Sequence, residues 1–123
     1  MKKLFVSTLA VLALFCNTAL AEPPPGSDPT SPLAAYARSI RHRSGRSCCS
    51  EADCRPTTVL PFSDGMYHAW ISKEQYGEDA PDDWVEIPWS VIEDTIANGP
   101  PPDGHSWVCY SGRVLCAILL TQS

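Results

Sequence analysis

The cysteines constrain this chain more than any other feature of its sequence. Cys48, Cys49 and Cys54 lie close together, whereas Cys109 and Cys116 lie near the C-terminus. A disulfide from the first group to the second would close a loop of roughly 55 to 70 residues, which stabilises a fold by about 4 kcal/mol in the chain-entropy model. Because such bridges persist in oxidising compartments, this pattern favours an exported protein whose fold depends on cross-links.

The N-terminus independently predicts export. Two lysines at positions 2 and 3 precede the apolar run Leu4–Phe15, and Ala19-Leu20-Ala21 supplies the small residues of a cleavage site. The apolar run is too short to span a bilayer as a stable anchor. We therefore predict a signal peptide over residues 1–21, with no transmembrane segment after its removal and a periplasmic or secreted location. Cleavage would also remove Cys16.

Two further segments follow the predicted signal peptide. Residues 22–32 contain five of the twelve prolines of the chain and no large apolar side chain, which predicts a proline-rich disordered linker. Residues 33–121 are expected to form a single small domain. The complete chain is acidic, with a formal net charge of -5, and loss of the two N-terminal lysines makes the remainder more acidic still. This balance argues against a nucleic acid partner.

The residue patterns predict an α+β fold, with a small antiparallel sheet of four or five strands and one or two short helices, stabilised by disulfides. Ser31 can cap a helix that continues to about His42. Strand patterns surround an Asp64-Gly65 turn, and a final hairpin covers residues 106–121. The apolar stretch Val114–Leu120 suits a strand that is buried on both faces.

The sequence leaves the cysteine pairing open. All five cysteines that follow the predicted signal peptide are candidates for disulfides, and fifteen two-bridge patterns are possible. A two-residue loop in the last hairpin would place Cys109 opposite Val114, with Cys116 on the same side of the sheet and both sulfurs facing the 48–54 segment. Since neighbours in an extended chain point to opposite sides, one of Cys48 and Cys49 is expected to be unpaired.

A metal site is the alternative use of these cysteines. The spacings Cys49-x4-Cys54 and His105-x3-Cys109 are compatible with a Cys3His zinc site or with a copper-handling variant of it. Export favours disulfides over this set, and the chain has no C-x-x-C pair that would indicate a thioredoxin-like redox centre. The prediction is therefore a protein without a metal or other cofactor.

The sequence contains no recognisable catalytic motif. Its histidines, His42, His68 and His105, are scattered, and none belongs to a G-x-S-x-G or H-x-x-x-H pattern. We therefore nominate no catalytic residue and favour a non-enzymatic protein. Aromatic rings either fill a thin core or line a binding surface. The tryptophans are accordingly the candidates for a binding site: Trp70, Trp84, Trp89 and Trp107.

Three segments resemble a known group of proteins. The segments are Ser47-Cys48-Cys49-Ser50-Glu51-Ala52-Asp53-Cys54-Arg55-Pro56, Trp84-Val85-Glu86-Ile87-Pro88, and Trp107-Val108-Cys109 with Cys116 seven residues further on. They are similar to small exported, cysteine-containing proteins of the proteobacterial type, of unknown function, that share a CC-x4-C-R-P segment. The resemblance implies an exported domain framed by cysteines, and it implies no activity, ligand or catalytic residue.

The sequence therefore predicts an exported, non-catalytic binding or interaction module. Its expected partner is another exported protein or a cell-wall component. Two alternatives remain open at this point, a periplasmic metal-binding protein and an inhibitor of a cell-wall or secreted enzyme.

Overall fold

The computed structural model describes Asp28 and residues 30–120, so the predicted signal peptide and most of the predicted linker lie outside the described residues. The elements in chain order are α1 (Pro32–Ser39), β1 (Asp53–Pro56), β2 (Val59–Pro61), β3 (Tyr67–Ile71), α2 (Lys73–Tyr76), β4 (Asp83–Glu86), α3 (Trp89–Thr95), β5 (Trp107–Tyr110) and β6 (Val114–Ile118). None of the described helices is long and apolar enough to cross a membrane.

Helix α1 begins where the sequence predicts. The Ser31 hydroxyl accepts a hydrogen bond from the Ala34 N–H, and Pro32 occupies the first helical position, where its missing N–H costs nothing. The helix ends at Ser39, earlier than expected, because Ile40 adopts an extended conformation and its carbonyl accepts a hydrogen bond from the Cys48 N–H. This bond ties the end of α1 to the cysteine cluster.

The strands form two antiparallel sheets of three strands each, which we call the first sheet (order β1-β5-β6) and the second sheet (order β2-β3-β4). The α+β class is confirmed, whereas the single sheet of four or five strands is wrong. Strand β1 ends at Pro56, and the following Thr57 N–H makes one more backbone hydrogen bond, to the Ser106 carbonyl beside β5. The chain then leaves the first sheet, and β2 pairs with β3.

The first sheet is buried on both faces. One face packs against Ile40 and Cys48, and the other face carries Val108 and Ala117, which pack in one cluster with inward-pointing residues of the second sheet such as Ile71. The expectation of a doubly buried strand holds for β6, in which four of five residues are buried. The first sheet is thus the central layer of the domain.

Two disulfides cross-link the first sheet, one to the segment that precedes it and one between two of its strands. Cys48 bridges to Cys116 and Cys54 bridges to Cys109, while Cys49 is the free cysteine among the described residues. The final hairpin has a three-residue loop with a register shift, so Tyr110 rather than Cys109 lies opposite Val114. Cys109 is therefore directly opposite both Cys54 and Cys116, and the three cysteines form a row across the sheet.

Buried hydroxyl groups connect helices α2 and α3 to the first sheet. The Tyr76 hydroxyl, on α2, donates a hydrogen bond to the Val108 carbonyl of the first sheet at 2.8 Å and also contacts the Thr57 hydroxyl. The Thr95 hydroxyl of α3 lies 2.7 Å from the Ala117 carbonyl, to which it donates. These bonds fix α2 and α3 against the central layer, and so they also fix the orientation of the second sheet.

Candidate functional site

The outward-pointing side of the second sheet is aromatic. Along β3, Ala69 and Ile71 are buried in the core, so the alternation of a strand directs His68 and Trp70 outwards. The strand register places residues of both neighbouring strands beside these two. We call the resulting surface the outer face, and it consists of Leu60, Phe62, His68, Trp70, Trp84 and Glu86.

The rings of the outer face contact one another in sequence. Phe62 stacks on the His68 ring at 3.9 Å between centroids, and it meets Trp84 edge to face at 5.3 Å. Trp84 meets Trp70 edge to face at 5.5 Å. Such contacts favour defined ring orientations. The outer face is therefore an ordered aromatic surface.

This surface is open to solvent. The side chains of Leu60, Phe62 and Trp70 are 46%, 36% and 38% exposed. They are neighbours on one small sheet, whereas isolated apolar residues on a protein surface need no explanation. A contiguous apolar patch on a small domain is typical of an interaction site.

Acidic groups lie at one end of the outer face, where the carboxylates of Asp64 and Glu86 lie beside His68. At the opposite end, Asp83 is the register partner of the inward-pointing Ile71, so its side chain lies on the other side of the sheet. Lys73 is the one cation between residues 56 and 112, a stretch with ten acidic residues. The surroundings of the aromatic surface are therefore negative.

The four predicted tryptophans have three different environments. Trp70 and Trp84 lie together on the outer face. Trp89 is 48% exposed and contacts Tyr67 at the start of α3, outside this chain of rings. Trp107 is buried against Tyr36, and its indole N–H donates to Asp103. Trp107 is accordingly a core residue.

Leu60 and Phe62 are not among the binding residues predicted from the sequence. Their signal was the strand alternation around the Asp64-Gly65 turn, which puts His68 and Trp70 on one side of β3. That pattern identifies the residues that share a face. The pattern does not show which face of the strand is buried, because tryptophan is common both in protein cores and on exposed surfaces.

The Cys3His set proposed from spacing is not assembled as a metal site. Cys54 and Cys109 are joined in a disulfide, so neither sulfur is the thiolate that zinc requires. Burial raises the pKa of the free Cys49 thiol, which disfavours its thiolate as well. Two groups of potential ligands converge among the described residues, and His105 belongs to neither of them.

One of those groups surrounds His42, a buried residue beside the Cys48–Cys116 disulfide. Its Nδ1 lies 2.6 Å from an Asp94 carboxylate oxygen, and the hydrogen bond from His42 lowers the pKa of Asp94. Its Nε2 lies 3.8 Å from Glu51, which pairs with Arg46. The sulfur nearest to His42 belongs to the disulfide and is not a free nucleophile.

An open groove of about 670 Å³ borders this histidine and is lined by Asp94, Ser90, Arg46 and Arg113 among others. Within the described part of the chain, the partners of the His42 ring are carboxylates and a disulfide sulfur. This arrangement connects α3 to the segment after α1. It is a structural link between two elements, and it does not present an activated nucleophile to the groove.

Comparison of the chain with protein-family models, curated proteins and solved structures finds no match. The geometry and charge of the outer face are therefore the features that point to a function.

Proposed function

We propose that the protein is an exported, non-catalytic binding module that holds a basic segment of another exported protein on its outer face. Export is supported by the predicted signal peptide and by two disulfides, which are compatible with an oxidising compartment. The observation that carries the proposal is the chain of rings Phe62, Trp84 and Trp70, in which Phe62 and Trp70 are exposed and Trp84 is half-buried between them.

The charges around the outer face favour a basic partner. The carboxylates of Asp64 and Glu86 lie at one end of the aromatic surface, so an anionic glycan or an acidic peptide would be repelled as it approached. Lysine and arginine side chains can lie over tryptophan rings while their charged groups meet these carboxylates. A protein segment that alternates basic and apolar residues matches both properties of the surface.

A peptide titration tests this proposal. The probe is an acetylated decapeptide of alternating lysine and leucine, added to the disulfide-bonded protein while tryptophan fluorescence is recorded. We expect saturable binding that is strongly weakened in Trp70→Ala and in Trp84→Ala, because each substitution interrupts the chain of rings. Higher salt should also weaken binding, since part of the attraction is between charges.

Trp89→Ala is the matched control, because Trp89 is exposed but lies outside the outer face. It should bind the lysine–leucine peptide like the wild type. A peptide in which glutamate replaces every lysine should not bind, and neither should a neutral oligomer of N-acetylglucosamine. Equal loss of binding in Trp89→Ala, or preferential binding of the glutamate peptide or the glycan, would overturn the proposal.

A further inference from the structure

We propose that Asp64, His68 and Glu86 form a binding site for a divalent transition metal, with Zn²⁺ as the best-matched ion. One nitrogen or oxygen atom from each of the three residues lies within 4.8 Å of the other two. A set of one imidazole and two carboxylates selects zinc and related ions over Mg²⁺ or Ca²⁺, which prefer oxygen ligands alone.

The orientation of the histidine ring supports the site. His68 Nδ1 lies 3.3 Å from the Met66 carbonyl, an acceptor, so Nδ1 carries the proton that is donated in this bond. In the neutral ring, Nε2 is then left with its lone pair. Nε2 is also the atom that faces the Asp64 carboxylate, at 3.5 Å. Histidines that bind metals are typically held in this way, with the other ring N–H bonded to a backbone carbonyl.

The second ligand is held by the same turn. Asp64 Oδ1 accepts a hydrogen bond from the Met66 N–H at 2.8 Å, which leaves Oδ2 to face His68. The Phe62 ring stacks on the His68 imidazole, with 3.9 Å between the ring centroids, and this contact restricts rotation of the imidazole. Asp64 and His68 are therefore positioned before any ion arrives, and this lowers the entropic cost of binding one.

The third ligand comes from the neighbouring strand. Glu86 is the register partner of His68 in the β3–β4 ladder, so the sheet itself sets the separation of their backbones. A tetrahedral zinc with bonds near 2.1 Å separates its ligand atoms by about 3.4 Å. The Asp64–His68 distance of 3.5 Å already matches this value. The Glu86 carboxylate lies within 4.8 Å of the other two ligand atoms, so a small movement of this long side chain brings it to a bonding distance.

The charges of the three side chains favour a bound cation over a simple ion pair between His68 and Asp64. Three electron-pair donors converge on one point when His68 is neutral, and two of them carry negative charge. A divalent ion bound between the three side chains relieves this repulsion. Three protein ligands leave the fourth zinc position open to water, or to a group of a molecule bound on the adjacent aromatic surface.

Zinc titration by calorimetry tests the inference. The protein is used as the disulfide-bonded full chain without a histidine tag, at pH 7.5, and Zn²⁺ alone is the probe. We expect one bound ion per chain, and affinity about tenfold or more weaker in Glu86→Gln and in His68→Asn. The binding should persist in the presence of excess Ca²⁺, because calcium does not favour the imidazole.

His105→Asn is the matched control, because His105 is exposed and lies outside the cluster. It should bind zinc like the wild type. Circular dichroism and the thermal midpoint show whether each variant is folded, and Glu86→Gln changes the least volume. Absence of zinc binding in the folded wild type, or unchanged affinity in folded Glu86→Gln, would overturn the site.

This inference does not depend on the proposed peptide-binding function, and the two can fail separately. Trp70→Ala removes a ring that is not a ligand, so it should retain zinc binding while it loses the lysine–leucine peptide. Glu86→Gln should weaken zinc binding more than it weakens binding of the lysine–leucine peptide. If zinc binding were lost in Trp70→Ala while that variant stayed folded, the proposed ligand set would be wrong.

Discussion

The two sheets of this domain are similar in size and differ in how they are covered. The first sheet has side chains packed on both faces and carries both disulfides. The second sheet is covered on its inner face and exposes tryptophan, phenylalanine and leucine on the other. Cross-links thus concentrate where the chain is buried, and the uncovered face contains no cysteine. This division is expected if one half maintains the fold and the other meets a partner.

The charge distribution follows the same division. The segment that precedes the first strand carries most of the arginines, including Arg38, Arg41 and Arg43, whereas the second sheet and its loops are acidic. A small domain has few residues available for a core, so it cannot use every surface both to stabilise the fold and to bind a partner. Separating the stabilising half from the exposed half resolves this restriction.

The largest effect should come from breaking a disulfide of the first sheet. We expect the double variant Cys48→Ala with Cys116→Ala to lose about 4 kcal/mol of unfolding free energy, because the bridge closes a long loop in the unfolded chain. Urea unfolding of the wild type and the variant without reductant measures this loss. Removing both sulfurs together avoids leaving a new free thiol.

Cys49→Ala is the control for this experiment, since Cys49 is the free cysteine among the described residues. Its effect on the free energy of unfolding should be below about 1 kcal/mol. If the double variant unfolded at the same urea concentration as Cys49→Ala, the first sheet would not depend on its cross-link. The comparison between the two halves would then lose its basis.

A pair of neighbouring residues on β3 separates the two roles of the second sheet. Ile71 is fully buried, and Ile71→Ala should cost about 3 kcal/mol through the cavity it creates. Trp70 points to the outer face, and Trp70→Ala should cost about 1 kcal/mol or less while it weakens peptide binding. Chemical unfolding followed by circular dichroism measures both values. A larger loss for Trp70→Ala than for Ile71→Ala would mean that the outer face is part of the core.

Local features of this fold were predictable from sequence, and the pairing of distant strands was not. The Ser31 cap, the turn at Asp64-Gly65 and the doubly buried β6 each depend on a few consecutive residues. Strand β1 instead pairs with β5, which lies about 50 residues further along the chain. No local pattern records that choice, and so the division into two sheets was missed.

The candidate sites show the same limit. Strand alternation grouped His68 with Trp70, but the contribution of Glu86 depends on the β3–β4 register. In the last hairpin, a three-residue loop and a register shift between Cys109 and Tyr110 together place Cys109 opposite Cys116 rather than Val114. A two-residue loop was the simpler expectation from the Ser111-Gly112 signal. One additional loop residue changes which side chains meet across a hairpin.

The smallest expected effect concerns the Asp94 carboxylate, which holds α3 to the buried His42. The hydrogen bond from His42 lowers the pKa of Asp94, so the native protein binds this proton less tightly than the unfolded chain does. Its contribution to stability is therefore complete above the ordinary carboxyl pKa and is lost as the pH falls through the lowered one. The difference between wild type and Asp94→Asn should accordingly be largest above the ordinary carboxyl pKa and should shrink as the pH falls below it. Urea midpoints measured across this range test the prediction, and a constant difference at every pH would show that Asp94 acts by packing instead of charge. Because His42 also contacts the disulfide of the first sheet, a pH-dependent difference would place this carboxylate in the stabilising half of the molecule.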